Sequence, residues 1–302
     1  MKKIVITGAG GTVGQNLVDF LVGKYSIVAI GKNKEKIDYI KKRHPGVECI
    51  VADVSEHGKW EKNLKGAECL ISLQAQISAK NEEPFIKNNV VAARVVCEAC
   101  KKMNVPYIIH ASSSVVISIA DDYYTRTKRE SEKIVKKSGL NYVILRPTLM
   151  FGKYDAKHLG YLSKFLEKVP FYPLPGDGKY IRQPLYVIDL CKVIEKCIET
   201  KPKNKIYNII GKEKIYYKDI IKKIRDIKGL KTPIVPIPVR LFKFLIWFYG
   251  LFSRNPPFTV EQLDALTNND IFPLNPWWKT FNVKPTPLDK ALKETFSNKL
   301  FD

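Results

Sequence analysis

The eight residues Thr7-Gly8-Ala9-Gly10-Gly11-Thr12-Val13-Gly14, set between the apolar run Ile4-Val5-Ile6 and a segment of helical character, constrain this chain more than any other feature. A strand that ends in glycines and continues as a helix turns tightly and brings bare backbone close to a ligand. It also aims the unpaired N–H groups of the helix start at an anion. Glycine spacing alone is weak grounds for such a site. Its surroundings have to supply the rest.

They do so through the rhythm that follows. Short runs rich in Val and Ile recur at 2–7, 26–31, 47–52, 68–73, 107–112 and 141–146, with helical segments near 12–23, 33–43, 56–65, 84–103 and 122–138. Runs that are apolar throughout, without alternation, belong to parallel strands covered on both faces. The chain is therefore read as an α/β protein, a Rossmann doubly wound parallel sheet whose glycine turn holds the pyrophosphate of a nicotinamide dinucleotide. Gly8, Gly10, Gly11, Thr12, Val13 and Gly14 form that cradle. Beyond Pro147 the rhythm breaks, leaving a helix at 188–199 and a strand at 206–210 amid proline- and aromatic-rich stretches at 151–186 and 230–287. The expected division is a Rossmann domain of 1–150 plus 187–211, and a smaller, irregular C-terminal substrate domain of 151–186 and 212–302.

The second strand should end beside the adenosine ribose, where a carboxylate would select NAD and a cation would accept the 2′-phosphate of NADP. Here the chain reads Ile30-Gly31-Lys32-Asn33, which favours NADP(H) over NAD(H), with Lys32 and Asn33 as ligands. Lys32 can also be read as one more solvated lysine. Asp53, with Val54 after the third strand, is expected at the adenine edge.

Fifty-one Lys and Arg against 30 Asp and Glu leave a net charge of +21, which favours anionic partners. The cations are spread along solvated helix faces with no recognition helix or aromatic-basic stripe, so a phosphorylated or otherwise anionic small molecule is expected and nucleic acid is not. Met1-Lys2-Lys3 leads directly into the first strand, with no apolar run and cleavage site, and the reading is of a cytoplasmic protein. The six cysteines have no framework spacing, and the Cys97-x-x-Cys100 pair falls in a helical pattern, so core packing is expected and no metal site. The stretch 241–252 is nearly all aromatic and aliphatic, yet too short to cross about 30 Å of hydrocarbon. It is read as core, as a dimer contact, or as an interfacial helix peripheral to the inner face of a membrane, flanked by Arg240 and Arg254.

Chemistry concentrates after the fifth strand. Ser112-Ser113-Ser114 ends that strand, and Tyr124 and Lys128, four residues apart, share one face of the next helix. A phenol with a pKa near 10 becomes a useful base only beside a cation, which an ammonium group can supply. Among fifteen tyrosines, only Tyr124 has a lysine four positions later. Its place at the carboxyl end of a parallel strand is where such sheets open their crevice.

On these residues the chain resembles the extended and atypical short-chain dehydrogenase/reductases, the NAD(P)-dependent epimerase/dehydratase group. The likeness includes Asp53, Leu73-Gln74-Ala75-Gln76, Asn89-Val90, Leu145-Arg146-Pro147 and Arg182-Gln183-Pro184. The resemblance implies that Tyr124 is the general base, Lys128 orients the nicotinamide ribose, and Ser113 holds the substrate oxygen with Ser114 next. It adds Leu73, Gln74 and Ala75 to the cofactor site, Arg146 and Arg182 to the substrate site, and pairing of two copies through the helices at 84–103 and 122–138. The implied reaction is hydride transfer at a hydroxyl or carbonyl carbon of a nucleotide sugar or similar anionic metabolite. The chain also departs from the pattern. Ten residues separate Ser113 from Tyr124, a short interval for the group; Val116-Ile117-Ser118 replaces the usual Val-Tyr-Gly, and Gln183 replaces an aspartate. Such changes resemble the atypical branch, which includes the nucleotide-binding accessory subunit of respiratory complex I, and imply an alternative: an NADPH-binding assembly or regulatory subunit without turnover.

Overall fold

The computed structural model describes residues 1–119, 121–252 and 260–297. In chain order the first elements are β1 (Lys3–Thr7), α1 (Thr12–Leu21), β2 (Ser26–Gly31), α2 (Lys34–Arg43), β3 (Glu48–Val51), β4 (Cys69–Ser72), α3 (Glu83–Phe85), a π-helical segment (Ile86–Val91), α4 (Ala92–Lys102), β5 (Tyr107–Ala111), α5 (Tyr123–Lys137) and β6 (Asn141–Pro147). Then follow β7 (Met150–Phe151), α6 (Leu159–Lys168), β8 (Tyr172–Pro175), β9 (Ile181–Arg182), β10 (Leu185–Tyr186), α7 (Val187–Thr200), β11 (Lys205–Ile209), β12 (Ile215–Tyr216) and α8 (Tyr217–Ile227). The last are β13 (Ile234–Ile237), α9 (Val239–Phe252), α10 (Val260–Thr267), α11 (Trp277–Thr280) and α12 (Leu288–Phe296).

The chain divides into two compact units, the first comprising Met1–Thr148, Val187–Ile210 and Asn275–Pro285. Its sheet runs β11-β6-β5-β4-β1-β2-β3, with every pairing parallel. Strand order reverses between β1 and β4, so the two strands diverge in connection there and their carboxyl ends open a crevice. Ile4, Val5, Ile6, Leu70 and Ile71 are fully buried, as strands covered on both faces must be. Cys97 and Cys100 belong to the same core, and burial pushes the Cys97 thiol up to about 11, which leaves it protonated and inert. Among the described residues no group of three His, Cys, Asp or Glu could hold a metal ion, and no helix is long and apolar enough to cross a membrane.

One boundary differs from expectation. Residues 275–285, assigned by sequence to the substrate domain, pack with the first unit. Trp277 is buried and its indole N–H donates to the Ile210 carbonyl at 2.8 Å, and Phe281 meets the Tyr207 ring edge-on with centroids 4.8 Å apart. A return of this kind over a long sequence distance leaves no local signal.

The second unit, Leu149–Tyr186, Gly211–Leu274 and Thr286–Asp302, is more regular than its proline content implies. Helices α6, α8 and α12 pack around a core containing Leu166, Tyr172, Ile220, Ile224 and Leu292. The start of α6 is held by Asp155, whose carboxylate accepts the N–H groups of Lys157, His158 and Gly160. Three two-stranded ladders complete the unit, β7 with β10, β8 with β13 and β9 with β12. We expect Trp277→Ala to cost about 3–5 kcal/mol of stability, as a large buried ring is lost and a carbonyl unpaired. Urea unfolding monitored by circular dichroism checks this, and a loss below 1 kcal/mol would mean the 275–285 strap is dispensable.

Candidate active site

The glycine turn has the geometry of a phosphate cradle. Gly8 has a φ of +72°, and a Cβ on it would lie 2.5 Å from the Gln74 backbone nitrogen. At Gly14 a Cβ would lie 2.5 Å from the carbonyl oxygen of Ala9. The first glycine therefore lets the turn after β1 meet the segment after β4, and the last seats α1 on the turn itself. Gly11 caps α1 without any side-chain hydrogen bond, so the helix opens directly onto the turn at Thr12 and Val13. The positive end of the helix dipole there favours an anion. The residues present thus fit a dinucleotide pyrophosphate.

Around the turn, Leu73 donates its N–H to the Thr7 carbonyl at 3.1 Å, and the Thr7 hydroxyl donates to the Gln74 side chain at 2.6 Å. Ala75 lies between that residue and Gln76, which is anchored as described below. Asn33 caps α2, its side chain accepting the Lys36 N–H at 2.9 Å. Asp53 is met by two cations, Lys32 at 3.3 Å and Lys87 at 3.6 Å. Partial burial works against its charge, but hydrogen bonds from Ser55 and the nearby Lys32 hold its carboxyl below the ordinary carboxylate range. Val54 is buried beneath.

The serine, tyrosine and lysine come together at the carboxyl end of β5. Ser113 caps a short 3-10 turn, Ser114–Ile117, by accepting the Val115 N–H at 3.4 Å. Burial pushes the Tyr124 phenol above its usual pKa, opposed by the nearby Ser113 hydroxyl. Ser114 is buried. Lys128 is 1% exposed, and its ammonium donates to the Ala111 carbonyl at 2.8 Å. Burial draws the Lys128 pKa down to about 8, with Glu132 opposing the shift. The short interval before α5 is closed locally. Asp122 caps α5 by accepting the Thr125 N–H at 2.7 Å, and Arg129 donates to the carbonyls of Val116 and Ser118 at 3.1 and 2.8 Å.

The two arginines expected at the substrate have other partners. Arg146 forms a two-pronged pair with Glu132, at 2.7 and 2.6 Å, because β6 directs it toward α5. Arg182, in the second unit, is buried and donates to the carbonyls of Ile181 and Asn268 at 2.8 and 2.7 Å and to that of Leu266. Its cation serves the carboxyl end of α10, where carbonyls lack helical partners. Gln183, in place of an acid, accepts the Phe272 N–H at 2.7 Å and donates to the Gly211 carbonyl at 3.3 Å.

Two buried polar residues escaped the sequence reading of the site. Asn89 sits in the π-helical segment, accepts the Gln76 N–H at 2.8 Å, and donates to the Gln76 carbonyl at 3.1 Å and the Thr127 hydroxyl at 3.0 Å. It thereby ties the segment after β4 to the helix that carries Tyr124. His110 bridges Ser72 on β4 and Ser131 on α5, both at 3.2 Å, and burial beside Lys128 holds its pKa well below the usual value, so the ring is neutral. His110 is a polar residue inside an apolar run, and Asn89 belongs to the Asn89-Val90 pair of the family likeness, which gave it no role.

With this geometry in place, comparison with known proteins is informative. The profile of the NAD dependent epimerase/dehydratase family matches residues 4–209. The chain belongs to that family. Subunit 9 of the NADH dehydrogenase [ubiquinone] 1 alpha subcomplex from Dictyostelium discoideum is 27% identical over 254 residues, covering 80% of this chain and 67% of the relative. A putative UDP-glucose 4-epimerase from Methanocaldococcus jannaschii is 29% identical over 244 residues, covering 70% and 77%. Among solved structures, UDP-glucuronic acid 4-epimerase from Bacillus cereus, in complex with UDP-glucuronic acid and NAD, superposes with a TM-score of 0.75 at 21% identity, over 99% of this chain and 98% of the other. At that identity the likeness establishes the Rossmann fold shared by family members.

In this member the buried lysine is a liability for folding. A lysine whose folded pKa is depressed resists protonation in the native state, so its penalty is full below about pH 8 and fades as pH rises toward the unfolded value of 10.5. We expect Lys128→Met to raise stability by about 1–3 kcal/mol at pH 7, after allowance for the lost bond to Ala111. The gain should shrink above pH 8. Thermal unfolding across a pH series checks it, and a destabilised variant at neutral pH would show that the Ala111 bond outweighs desolvation.

Proposed function

We propose that the chain is an NADP(H)-dependent oxidoreductase of the epimerase/dehydratase type, acting on a hydroxyl or carbonyl carbon of a nucleotide sugar or similar anionic metabolite. The observation that carries this reading is the convergence of Ser113, Tyr124 and buried Lys128 at the end of β5, on a protein whose glycine turn fits a dinucleotide. Keeping an ammonium group almost wholly buried costs stability, and a role in the reaction accounts for that cost.

When bound, the nicotinamide supplies a hydride acceptor or donor. Every other part of the work falls to the chain. Gly8, Gly10, Gly11, Thr12, Val13 and Gly14 hold the pyrophosphate; Asp53, Val54 and the segment Leu73-Gln74-Ala75 line the adenosine side. Tyr124 removes the proton of a substrate hydroxyl, or returns one to a carbonyl oxygen, while Ser113 positions that oxygen and Ser114 supports it. Lys128 is held on the Ala111 carbonyl so that its charge can reach the ribose and lower the cost of a phenolate at Tyr124. NADP(H) is favoured over NAD(H) because Lys32 and Lys87 gather where a 2′-phosphate would lie, with Asp53 between them. Asn33, already capping α2, borders the same place.

A second reading has its own support. Arg146 and Arg182 are committed to Glu132 and to backbone carbonyls, leaving neither arginine turned to a diphosphate, and a relative covering most of the chain is named as a respiratory-complex subunit. A binding-only subunit would hold nucleotide without turnover. The deciding experiment identifies the nucleotide released on denaturation, then screens nucleotide sugars for absorbance change at the nicotinamide band. For the enzyme, Tyr124→Phe lowers turnover by about 10²–10⁴-fold with cofactor affinity kept. Tight dinucleotide binding with no turnover on any nucleotide sugar would establish the second reading. For cofactor choice, Lys32→Ala should weaken NADPH binding by about 3- to 10-fold and leave NADH unchanged; equal losses for both would remove the 2′-phosphate assignment.

A further inference from the structure

Helix α9 presents an exposed apolar face. Leu241, Phe244, Leu245 and Phe248, at the i, i+3, i+4, i+7 spacing of one helix face, are 48%, 54%, 48% and 48% exposed, and Trp247 beside them is 56% exposed. Phe242, Lys243 and Ile246 on the opposite side are half-buried, and Lys243 pairs with Asp264 of α10 at 2.5 Å, so the helix has a defined inner and outer face. The outer rings lie against each other, Phe244 with Phe248 at 6.1 Å and Phe244 with Trp247 at 6.0 Å between centroids. Side chains of 249–252 lie outside the described residues. A contiguous stripe of this size is rare on a monomer surface and marks an interaction site.

Charge selects the occupant. Between Asp226 and Glu261 the chain carries five cations, Lys228, Lys231, Arg240, Lys243 and Arg254, and not one carboxylate side chain. Lys228 and Lys243 have acidic partners, Glu167 and Asp264, whereas Lys231 and Arg240 are exposed, and Arg240 directly precedes the apolar face; Arg254 lies outside the described residues. A second copy would bring the same cations and the same net charge of +21 to the contact, which repels. An acidic lipid surface offers hydrocarbon to the rings and phosphate to the cations together. At 14 residues the helix is too short to span a bilayer of about 30 Å but suits the headgroup plane. Indole and phenyl rings at its outer edge fit the membrane–water boundary.

We propose that α9 is an interfacial anchor that lays Leu241, Phe244, Leu245, Trp247 and Phe248 into the surface of an anionic membrane, with Arg240 on its phosphates. This does not depend on whether the Rossmann unit turns over substrate.

The test uses the full chain with vesicles of phosphatidylcholine alone and of phosphatidylcholine mixed with phosphatidylglycerol. Co-sedimentation should occur with the mixed vesicles, weaken with added salt, and be accompanied by a blue shift of tryptophan emission. Of the four tryptophans, Trp60 and Trp277 are buried and Trp278 is half-buried, so Trp247, the most exposed, contributes most to that shift. Phe244→Glu with Phe248→Glu should cut vesicle affinity by at least about tenfold, since burying one such ring is worth about a decade in an equilibrium constant. Arg240→Glu should lower it on mixed vesicles alone. Because these side chains are exposed, circular dichroism and dinucleotide binding should be unchanged in the variants. Absence of binding to the mixed vesicles would overturn the proposal. So would light scattering that shows a dimer dissolved by the double variant while vesicle binding is unaffected, which would assign the face to a second copy.

Discussion

Everything at the site of this protein depends on the close approach of two turns. The backbone after β1 and the backbone after β4 touch where Gly8 lacks a side chain, with the Gln74 nitrogen occupying the space a Cβ would need. That contact exists because strand order reverses between β1 and β4, so that their connections leave in opposite directions and only two backbones fill the gap. The helix start is then aimed into the crevice, and the segment after β4 is led past it. Larger residues at these glycines would part the turns and spoil the cradle before any ligand arrived.

A second layer of order rests on buried polar groups. Asn89 and His110 both connect β4 or the chain beyond it to α5, one through Gln76 and Thr127, the other through Ser72 and Ser131. Buried polar groups are costly unless every partner is met, and when met they admit a single arrangement. The helix carrying Tyr124 and Lys128 is thus positioned by directional bonds on two sides, in addition to the apolar packing common to all helices of the sheet. Glu132, clasped by Arg146, supplies a countercharge that opposes the fall in the Lys128 pKa caused by burial.

How much of this was legible depended on how local the cause was. The parallel strands were plain in the Val- and Ile-rich runs, and the glycine turn in its spacing, because periodicity and backbone freedom are properties of neighbouring residues. Tyr124 and Lys128 could be read from their separation on one helix. The partners of Arg146 and Arg182 were not legible, because a guanidinium carries the same signature whether it meets a phosphate, a glutamate or the end of a helix; only the fold shows Glu132 and the α10 carbonyls within reach. The strap at 275–285 and the helices α6 and α12 were missed for a related reason, since Trp277 owes its place to the carbonyl of Ile210, far away in sequence.

The π-helical segment Ile86–Val91 carries a consequence for how this stretch can change. A π turn holds one residue more than an α turn, so the segment takes up an extra residue between α3 and α4 while leaving its flanks nearly in phase. Removal of a single residue there would let the helix close to the commoner winding with little rotation of either flank. The widened turn that presents Asn89 to Gln76 and Thr127 would be lost although its neighbours in sequence remained the same. Length, more than identity, is therefore the guarded property of this helix: substitutions along it are judged one by one, whereas a one-residue deletion is felt at once on both sides of the crevice.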